Sequence, residues 1–258
     1  AIMIPKTDDG RVLFAVPWHD KVVVGTTDTL MEHPVLEPVA LEKEVEFILR
    51  TAGRYLSKQP TREDVMSVFA GLRPLAAPKK EGQSTKEISR SHKIIVSPHK
   101  LITITGGKWT TYRKMAEDTV DKSMELGLVP HRECVTERYK IHGYRPNPDL
   151  TNHLYVYGSD RNAIEDLMKE NPEMAQKLSP KYDYTVAEVV WAVRQEMART
   201  VEDVLARRVR LLFLDARVAV DVAPQVAKVM AAELGKDQKW IDRQVEEFTG
   251  VAENFVLK

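Results

Sequence analysis

A Gly-Gly-Lys turn between an apolar run and a helical run is the segment of this sequence best suited to chemistry. Gly106, Gly107 and Lys108 follow the β-type run of residues 101–105 and precede a helix-type run over residues 114–126. Two glycines let the backbone approach a bound group closely, and a helix start offers unpaired N–H donors with a partial positive charge. The pattern predicts a site for a phosphate, a carboxylate or an electron-rich ring edge, to which Lys108 adds a charge.

Three cations are candidates for binding an anion. Arg73 precedes Pro74, which restricts the backbone, and an arginine on a stiffened strand end can bind a phosphate or carboxylate as a fork; a surface arginine in a turn is the alternative. Arg90 lies in the strand-like run 88–92, where a partly buried arginine needs an anion, although an ordinary salt bridge would satisfy it. The positive charge of Lys108 at a helix start is destabilised by the helix dipole unless an anion binds nearby. If the three converged, they would suit a small phosphorylated substrate.

Composition excludes several classes of protein and site. Of the 258 residues, 43% are hydrophobic and 29% charged, and 38 basic residues balance 38 acidic ones, which is typical of a soluble globular protein without a field for nucleic acid. Cys134 is the only cysteine, so an internal disulfide and a cysteine-pair redox site are excluded. No apolar run is long enough to span a bilayer, the histidines lack metal-ligand spacing, and no complete nucleotide-binding motif is present.

Hydrophobic periodicity predicts an α+β fold in two domains. Residues 1–130 show a three-strand antiparallel meander over 2–26, a helix over 41–56, a strand over 65–69, and a hairpin of 88–97 with 101–105. After an irregular stretch, residues 131–258 are predicted to be all-α, with helices over 160–169, from the capping box at Thr185, over 200–221, from Pro224 to about residue 234, and over 237–248. Because the chain opens at Ala1 directly in a strand-like run, we expect it to be part of a longer protein.

Six motifs in a fixed order resemble the C-terminal portion of the FAD-dependent (aerobic) glycerol-3-phosphate dehydrogenases. The resemblance covers essentially the whole chain, and six ordered segments are specific although each alone is weak. They are Phe-Ala-Val-Pro-Trp at 14–18, Val-Gly-Thr-Thr-Asp at 24–28, Gly-Leu-Arg-Pro-Leu at 71–75, Ile-Ser-Arg at 88–90, Gly-Gly-Lys-Trp-Thr-Thr-Tyr-Arg-Lys at 106–114 and Arg-Thr-Val-Glu-Asp-Val-Leu-Ala-Arg-Arg at 199–208.

The resemblance implies a reaction and roles for the candidate residues. It implies oxidation of sn-glycerol 3-phosphate to dihydroxyacetone phosphate, with hydride transfer to FAD and electrons passing on to a membrane quinone. Arg73 would lie at the substrate and Arg90 would contact its phosphate, while Lys108 would serve both flavin and substrate; Arg73 and Lys108 are therefore the catalytic candidates. The residues implied beside the flavin ring are Gly106, Gly107, Lys108, Trp109, Thr110 and Thr111. A helix start there would favour the negative charge of reduced flavin.

The fold and the partners follow from the same resemblance. Residues 1–130 would be part of a substrate- and FAD-binding domain, a mixed antiparallel sheet with helices, and residues 131–258 the helical C-terminal domain. The family's dinucleotide fingerprint and a substrate-side histidine, both expected upstream of Ala1, are absent from the sequence. We therefore expect that this chain alone neither holds FAD tightly nor oxidises the substrate, whereas the parent enzyme does both. We expect the parent protein to be cytoplasmic and peripheral to the inner face of the cell membrane. A homodimer is compatible with the resemblance.

Two other functions compete with this one. A glycerol-3-phosphate oxidase, which returns electrons to oxygen, shares the motifs seen here. The second alternative is not an enzyme but a stand-alone interaction module. The basic cluster Arg207, Arg208 and Arg210 in the helical half motivates it. A solvated helix face is the ordinary explanation of that cluster.

Overall fold

The computed structural model describes residues 1–8, 10–73 and 91–257, and they form the predicted mixture of helices and small antiparallel sheets. The chain divides into two compact units, Ala1–Gly71 with Gly143–Lys258, and Leu72–His142. The first unit thus contains both the N-terminal sheet and the C-terminal helices. The predicted division into domains near residue 130 is a different partition and stays a prediction.

The N-terminal sheet is the predicted three-strand meander. Strands β1 (Ile2–Ile4), β2 (Leu13–Trp18) and β3 (Lys21–Gly25) pair antiparallel in that order, with Ile4 opposite Leu13 and Trp18 opposite Lys21. The β2–β3 turn has positive φ at both central residues, as two-residue hairpins require. One face of the sheet packs on Phe47 of helix α1 (Glu42–Gly53), which lies within the predicted helix. A single 3₁₀ turn, Arg62–Asp64, follows.

The second unit is built from one hairpin and one helix. Strands β4 (His92–Val96) and β5 (Ile102–Gly106) pair antiparallel, as predicted for the described part of that hairpin. A 3₁₀ turn, Trp109–Thr111, leads into helix α2 (Tyr112–Glu125). Among residues 91–142 no side chain is fully buried. The described part of this unit, a two-stranded sheet with one helix, therefore has little buried core.

The C-terminal helices have a large core of their own. The helical segments are the 3₁₀ turns His153–Asp160 and Pro172–Ala175 and the helices α3 (Arg161–Glu170), α4 (Val186–Gln195), α5 (Val201–Arg207), α6 (Leu211–Leu214), α7 (Ala216–Leu234) and α8 (Gln238–Ala252). Their apolar faces share one core, which includes Leu205, Leu212, Met230 and Phe248. Among the described residues, no helix is both long enough and apolar enough to cross a membrane.

Two predicted helix boundaries in this region are wrong. The predicted helix over 200–221 is broken because Arg210 adopts a left-handed conformation, φ 58°, and Asp215 begins a new helix by accepting a hydrogen bond from Val218 N at 3.1 Å. Pro224 does not start a helix but lies inside α7. Proline in a helix interior removes one hydrogen bond, and burial of the α7 residues on either side of it, Val222 and Val226 among them, offsets that loss. The helix ends at Leu234, as predicted, and Gly235 follows it with the positive φ that glycine favours at a helix C-terminus.

Residues 65–69, predicted as a strand, are extended but pair with no strand among the described residues. They instead lie along the ends of the C-terminal helices, and we call them the strap. Val68 N donates to Phe255 O at 2.9 Å, and Met66 O accepts from Ala216 N at 3.1 Å. Sequence periodicity cannot distinguish such a segment from a strand, because both are extended and only the partner differs.

Candidate functional site

The Gly-Gly-Lys turn packs so tightly on helix α2 that it requires glycine. Gly106 ends β5 opposite His92, and Gly106 and Gly107 have φ of 75° and 87°. A Cβ atom on Gly107 would lie 2.5 Å from Met115 Sδ and 3.2 Å from His92 Cβ. Both the backbone conformation and the lack of space therefore exclude a side chain at Gly107 without local movement.

Backbone donors are available where the turn enters the helix. Within the described residues, the N–H groups of Lys108, Trp109 and Thr110 donate no hydrogen bond, whereas Thr111 N donates to Lys108 O at 3.0 Å. The α-helix begins at Tyr112 rather than at the predicted residue 114, because the 3₁₀ turn Trp109–Thr111 precedes it. Unpaired N–H groups at such a start can bind an anion or the electron-rich edge of a ring.

An exposed aromatic pair lies next to these donors. The Trp109 indole is 86% exposed and stacks on Tyr112, with ring centroids 5.6 Å apart and planes 30° apart. Large exposed aromatic side chains bury much area on contact, so this pair offers a flat apolar surface to a bound planar group or to protein. Lys108, Thr110 and Thr111 are exposed as well.

The cations of helix α2 are already paired with carboxylates. Lys114 Nζ lies 2.8 Å from Glu117 and 2.9 Å from Asp118, and Arg113 lies 2.5 Å from Glu117. These contacts hold the pKa of Glu117 below its ordinary value, with Lys114 as the largest cause. Lys108 differs, because no carboxylate of the described residues lies within ion-pair distance of it. Lys108 is thus the cation of this turn best placed to meet an incoming anion.

The arginines predicted for the substrate are only partly described. Arg73 is exposed and belongs to the same compact unit as Lys108. Arg90 lies outside the described residues. Convergence of Arg73, Arg90 and Lys108 on one ligand, and the predicted places of Gly106 to Thr111 beside a flavin ring, therefore stay predictions.

Sequence reasoning missed a buried polar cluster around Glu188. Its carboxylate is 1% exposed and accepts hydrogen bonds from Thr185 N at 2.7 Å and Tyr157 OH at 3.1 Å, with His153 Nε2 also at 3.1 Å. Burial and the nearby Glu188 raise the pKa of Tyr157. The capping-box pattern at Thr185 identified Glu188 as a cap, but the contacts with His153 and Tyr157 come from a distant segment. The polar groups of this cluster hydrogen-bond one another, and we therefore interpret the cluster as a structural element and not as a binding site.

The basic cluster of the helical half is largely neutralised. Arg207 pairs with Glu202 at 2.5 Å and with Asp203 at 3.3 Å. Arg208 lies 3.7 Å from Asp203 and also donates to the carbonyl oxygens of Asp203 and Glu196. Because Arg207 and Arg208 are paired within their own helix and its neighbours, these two residues give little support to a docking surface.

Comparisons with known proteins agree with the resemblance of the six motifs. The model of a family described as the C-terminal domain of alpha-glycerophosphate oxidase matches residues 100–241. The chain is 41% identical over 258 aligned residues to a probable mitochondrial glycerol-3-phosphate dehydrogenase of Caenorhabditis elegans. The alignment covers 91% of this chain and 35% of that protein. It is 32% identical to the mitochondrial glycerol-3-phosphate dehydrogenase of Saccharomyces cerevisiae, over 97% of this chain and 46% of that protein.

A solved structure supports the same relationship. The crystal structure of the glycerol-3-phosphate dehydrogenase from Bacillus halodurans, complexed with FAD, superposes with a TM-score of 0.78 at 27% identity, over 99% of this chain and 53% of that one. The predicted resemblance and the fold class are thus confirmed. The chain spans between 35% and 53% of the length of these relatives.

Proposed function

The chain belongs to the family of the C-terminal domain of alpha-glycerophosphate oxidase, and we propose that it is the C-terminal portion of a FAD-dependent glycerol-3-phosphate dehydrogenase. The observation that carries the proposal is the likeness over 99% of the chain to a glycerol-3-phosphate dehydrogenase complexed with FAD. In the proposed reaction, FAD supplies the hydride acceptor for C2 of sn-glycerol 3-phosphate, and a quinone receives the electrons.

Two features of the turn at Gly106–Lys108 support a flavin ring as its ligand. Among the described residues, the N–H groups of Lys108, Trp109 and Thr110 donate no hydrogen bond, and Trp109 is an exposed flat ring. We propose that these donors hydrogen-bond the edge of the flavin ring and favour negative charge on it.

The substrate roles are assigned to the cations. Lys108 would hold the anionic substrate near the ring, since it lacks a carboxylate partner among the described residues. Arg73 and Arg90 would bind the substrate as charged forks, with Arg90 on the phosphate. A bound dianion would also remove the cost of placing Lys108 at a helix start.

A variant pair in the full-length parent tests the site. Lys108 and Lys100 are exposed lysines at opposite ends of β5, so Lys100→Met is the matched control for Lys108→Met. We expect Lys108→Met to lower kcat/KM for glycerol 3-phosphate about 100-fold, because a charged group at the reacting centre is lost, and Lys100→Met to leave it unchanged. The measurement is substrate-dependent dye reduction at equal flavin content. Equal kinetics for the two variants would remove Lys108 from the proposed site.

The electron acceptor separates the proposal from its runner-up. The description of the matched family names an oxidase, which favours oxygen as the alternative acceptor. Under air, an oxidase forms one peroxide per substrate oxidised, whereas a dehydrogenase reduces a quinone analogue and forms little peroxide. Location is a further proposal: the cytoplasmic location predicted at the inner face of the cell membrane competes with a mitochondrial one, which the names of the eukaryotic relatives favour.

A further inference from the structure

A cleft of about 500 Å³ lies at the corner where α7 ends and α8 begins, and the charges that line it are mostly positive. The cleft belongs entirely to the first compact unit. Its only acidic lining residue, Asp237, is engaged, because it begins α8 by accepting a hydrogen bond from Trp240 N at 3.0 Å. The full set of lining residues is Gly235, Lys236, Asp237, Lys239, Trp240 and Arg243.

The cations of this cleft have little internal compensation. Among the described residues, no carboxylate lies within ion-pair distance of Lys236 or Lys239. Arg243 has only a long contact, 3.8 Å from its Nε to Glu247 Oε1, and both of these side chains are well exposed, so the pair is weak. Lys239 and Arg243 are four residues apart on α8, which places their like charges on one face, where they repel each other. An anion in the cleft would relieve that repulsion.

The start of α8 borders the cleft and adds N–H donors. The helix has 15 residues, and no residue of its first turn is acidic. Among the described residues, the N–H groups of Gln238 and Lys239 donate no hydrogen bond. These donors and the positive end of the helix dipole favour an anion at this place.

The indole of Trp240 distinguishes the cleft from an ordinary basic surface. Trp240 is only 9% exposed, and its Nε1 donates to no partner among the described residues. Tryptophan N–H groups usually find a partner when the ring is buried. This Nε1 is not sealed from solvent, in contrast to the Nε1 of Trp191, which is buried without a partner. Because the Trp240 ring lines the cleft, its N–H is a fixed donor that awaits an acceptor there.

We propose that this cleft is a phosphate-binding site, with Lys236, Lys239 and Arg243 as charged donors and the Trp240 indole as a neutral donor. Three cations against the one carboxylate of Asp237 leave an excess of two positive charges, which suits a phosphate dianion better than a single carboxylate. A free phosphate monoester and a phospholipid headgroup present the same oxygens to such a site. The inference is independent of the proposed dehydrogenase function.

The experiment uses the full-length parent with bound flavin and inorganic phosphate as the probe, with binding followed by phosphorus NMR. Lys239→Met should weaken phosphate binding about tenfold, because a charged hydrogen bond is lost. Lys228→Met is the control and should leave the affinity unchanged, since Lys228 is an exposed lysine of α7 that does not line the cleft. Equal affinities of the two variants would overturn the proposal. Phosphate binding that is lost in Lys108→Met and kept in Lys239→Met would also overturn it.

Trp240→Phe separates a built site from a surface that merely attracts anions. The variant keeps a buried aromatic ring and removes the N–H, so phosphate affinity should fall about threefold to tenfold. An unchanged affinity would overturn the assignment of a built site. Should Trp240→Phe yield no folded flavoprotein, Arg243→Lys replaces it. That change keeps the charge and removes the guanidinium fork, so a built site again loses about threefold in affinity, whereas an unspecific basic surface does not respond.

Vesicles distinguish the two sources of phosphate. The protein is sedimented with phosphatidylcholine vesicles that either contain or lack phosphatidylglycerol. If a headgroup is the ligand, binding to the phosphatidylglycerol vesicles falls in Lys239→Met but not in Lys228→Met, and inorganic phosphate competes with it. If a free phosphate monoester is the ligand, inorganic phosphate binds through the cleft and the vesicles do not. A cleft that binds neither probe would overturn the proposal.

Discussion

The helices of residues 186–252 and the hairpin and helix of residues 92–125 differ in how much apolar surface they bury by themselves. The first set shares a core with many side chains at or near zero exposure, and its helix ends are capped by Thr200, Asp215 and Asp237. The second set has no fully buried side chain among its residues. Yet the second set carries the exposed Trp109. Among the described residues, Lys108 of this set also has no carboxylate partner, and the N–H groups of Lys108, Trp109 and Thr110 donate no hydrogen bond.

Under the proposed function, the buried core and the groups that bind flavin and substrate lie in different segments of the chain. A site that must receive a cofactor and a substrate needs donors and rings without internal partners, which leaves it less stable by itself. The helices supply a packed core in which most buried polar side chains have hydrogen-bond partners.

The largest contrast is expected from deleting a core aromatic. Phe248 is 1% exposed, so Phe248→Ala should lower the free energy of unfolding by about 3–5 kcal/mol through lost burial and a cavity. Phe14, at 45% exposed, is the control with the same chemical change, and Phe14→Ala should cost about 1 kcal/mol. Urea unfolding measures both. Similar losses would contradict the view that the helices hold the main core.

A smaller effect is expected at the turn itself. Gly107→Ala should cost about 1–2 kcal/mol, because alanine must adopt a positive φ and displace Met115. Gly127→Ala is a control that carries the φ cost alone, since Gly127 has φ 68° but no atom within 4 Å of a Cβ. The difference in unfolding free energy between the two variants isolates the tight contact with α2. No difference would mean that Met115 moves without cost.

A pH effect of lesser size is expected at the tip of the β2–β3 hairpin. Burial, with Arg210 as a second cause, lowers the pKa of His19 from 6.5, and its ring faces Tyr155 at 6.4 Å. The unfolded chain then binds the proton more readily, so this contribution to stability is complete above pH 6.5 and is lost as the pH falls from there through the folded-state pKa. In His19→Asn, which tolerates the positive φ of this position, stability should fall less between pH 7.5 and 5.5. An identical slope in the variant would exclude His19 as the source.

The smallest effect on stability is expected at the most exposed aromatic. Trp109→Ala should change the unfolding free energy of this chain by less than about 0.5 kcal/mol, because the indole is 86% exposed. In the full-length parent the same variant should weaken flavin retention, measured by the FAD lost on dialysis. Large destabilisation of the chain without loss of flavin would show that Trp109 packs structurally, which would remove it from the site.

Much of the fold and part of the site were predictable from local patterns. The meander, helix α1, the hairpin before the glycines and the capping box at Thr185 follow from alternation, periodicity and cap chemistry, which act over a few residues. The break at Arg210 and the place of Pro224 inside α7 were not, because burial of apolar side chains overrode the local preference. The roles of Arg73, Arg90 and Lys108 rest on the family motifs and stay proposals.

The sequence by itself determined the family, the α+β class and the strand–Gly-Gly–helix turn, because these depend on motif order and on preferences of neighbouring residues. Only the tertiary structure decided that residues 65–69 dock on helix ends rather than in a sheet, that Gly107 lies against Met115, and that Glu188 joins His153 and Tyr157 in a buried cluster. Each of these is a contact whose partner is chosen by packing, and a one-dimensional pattern carries the tendency to be extended, small or polar but not the identity of the partner.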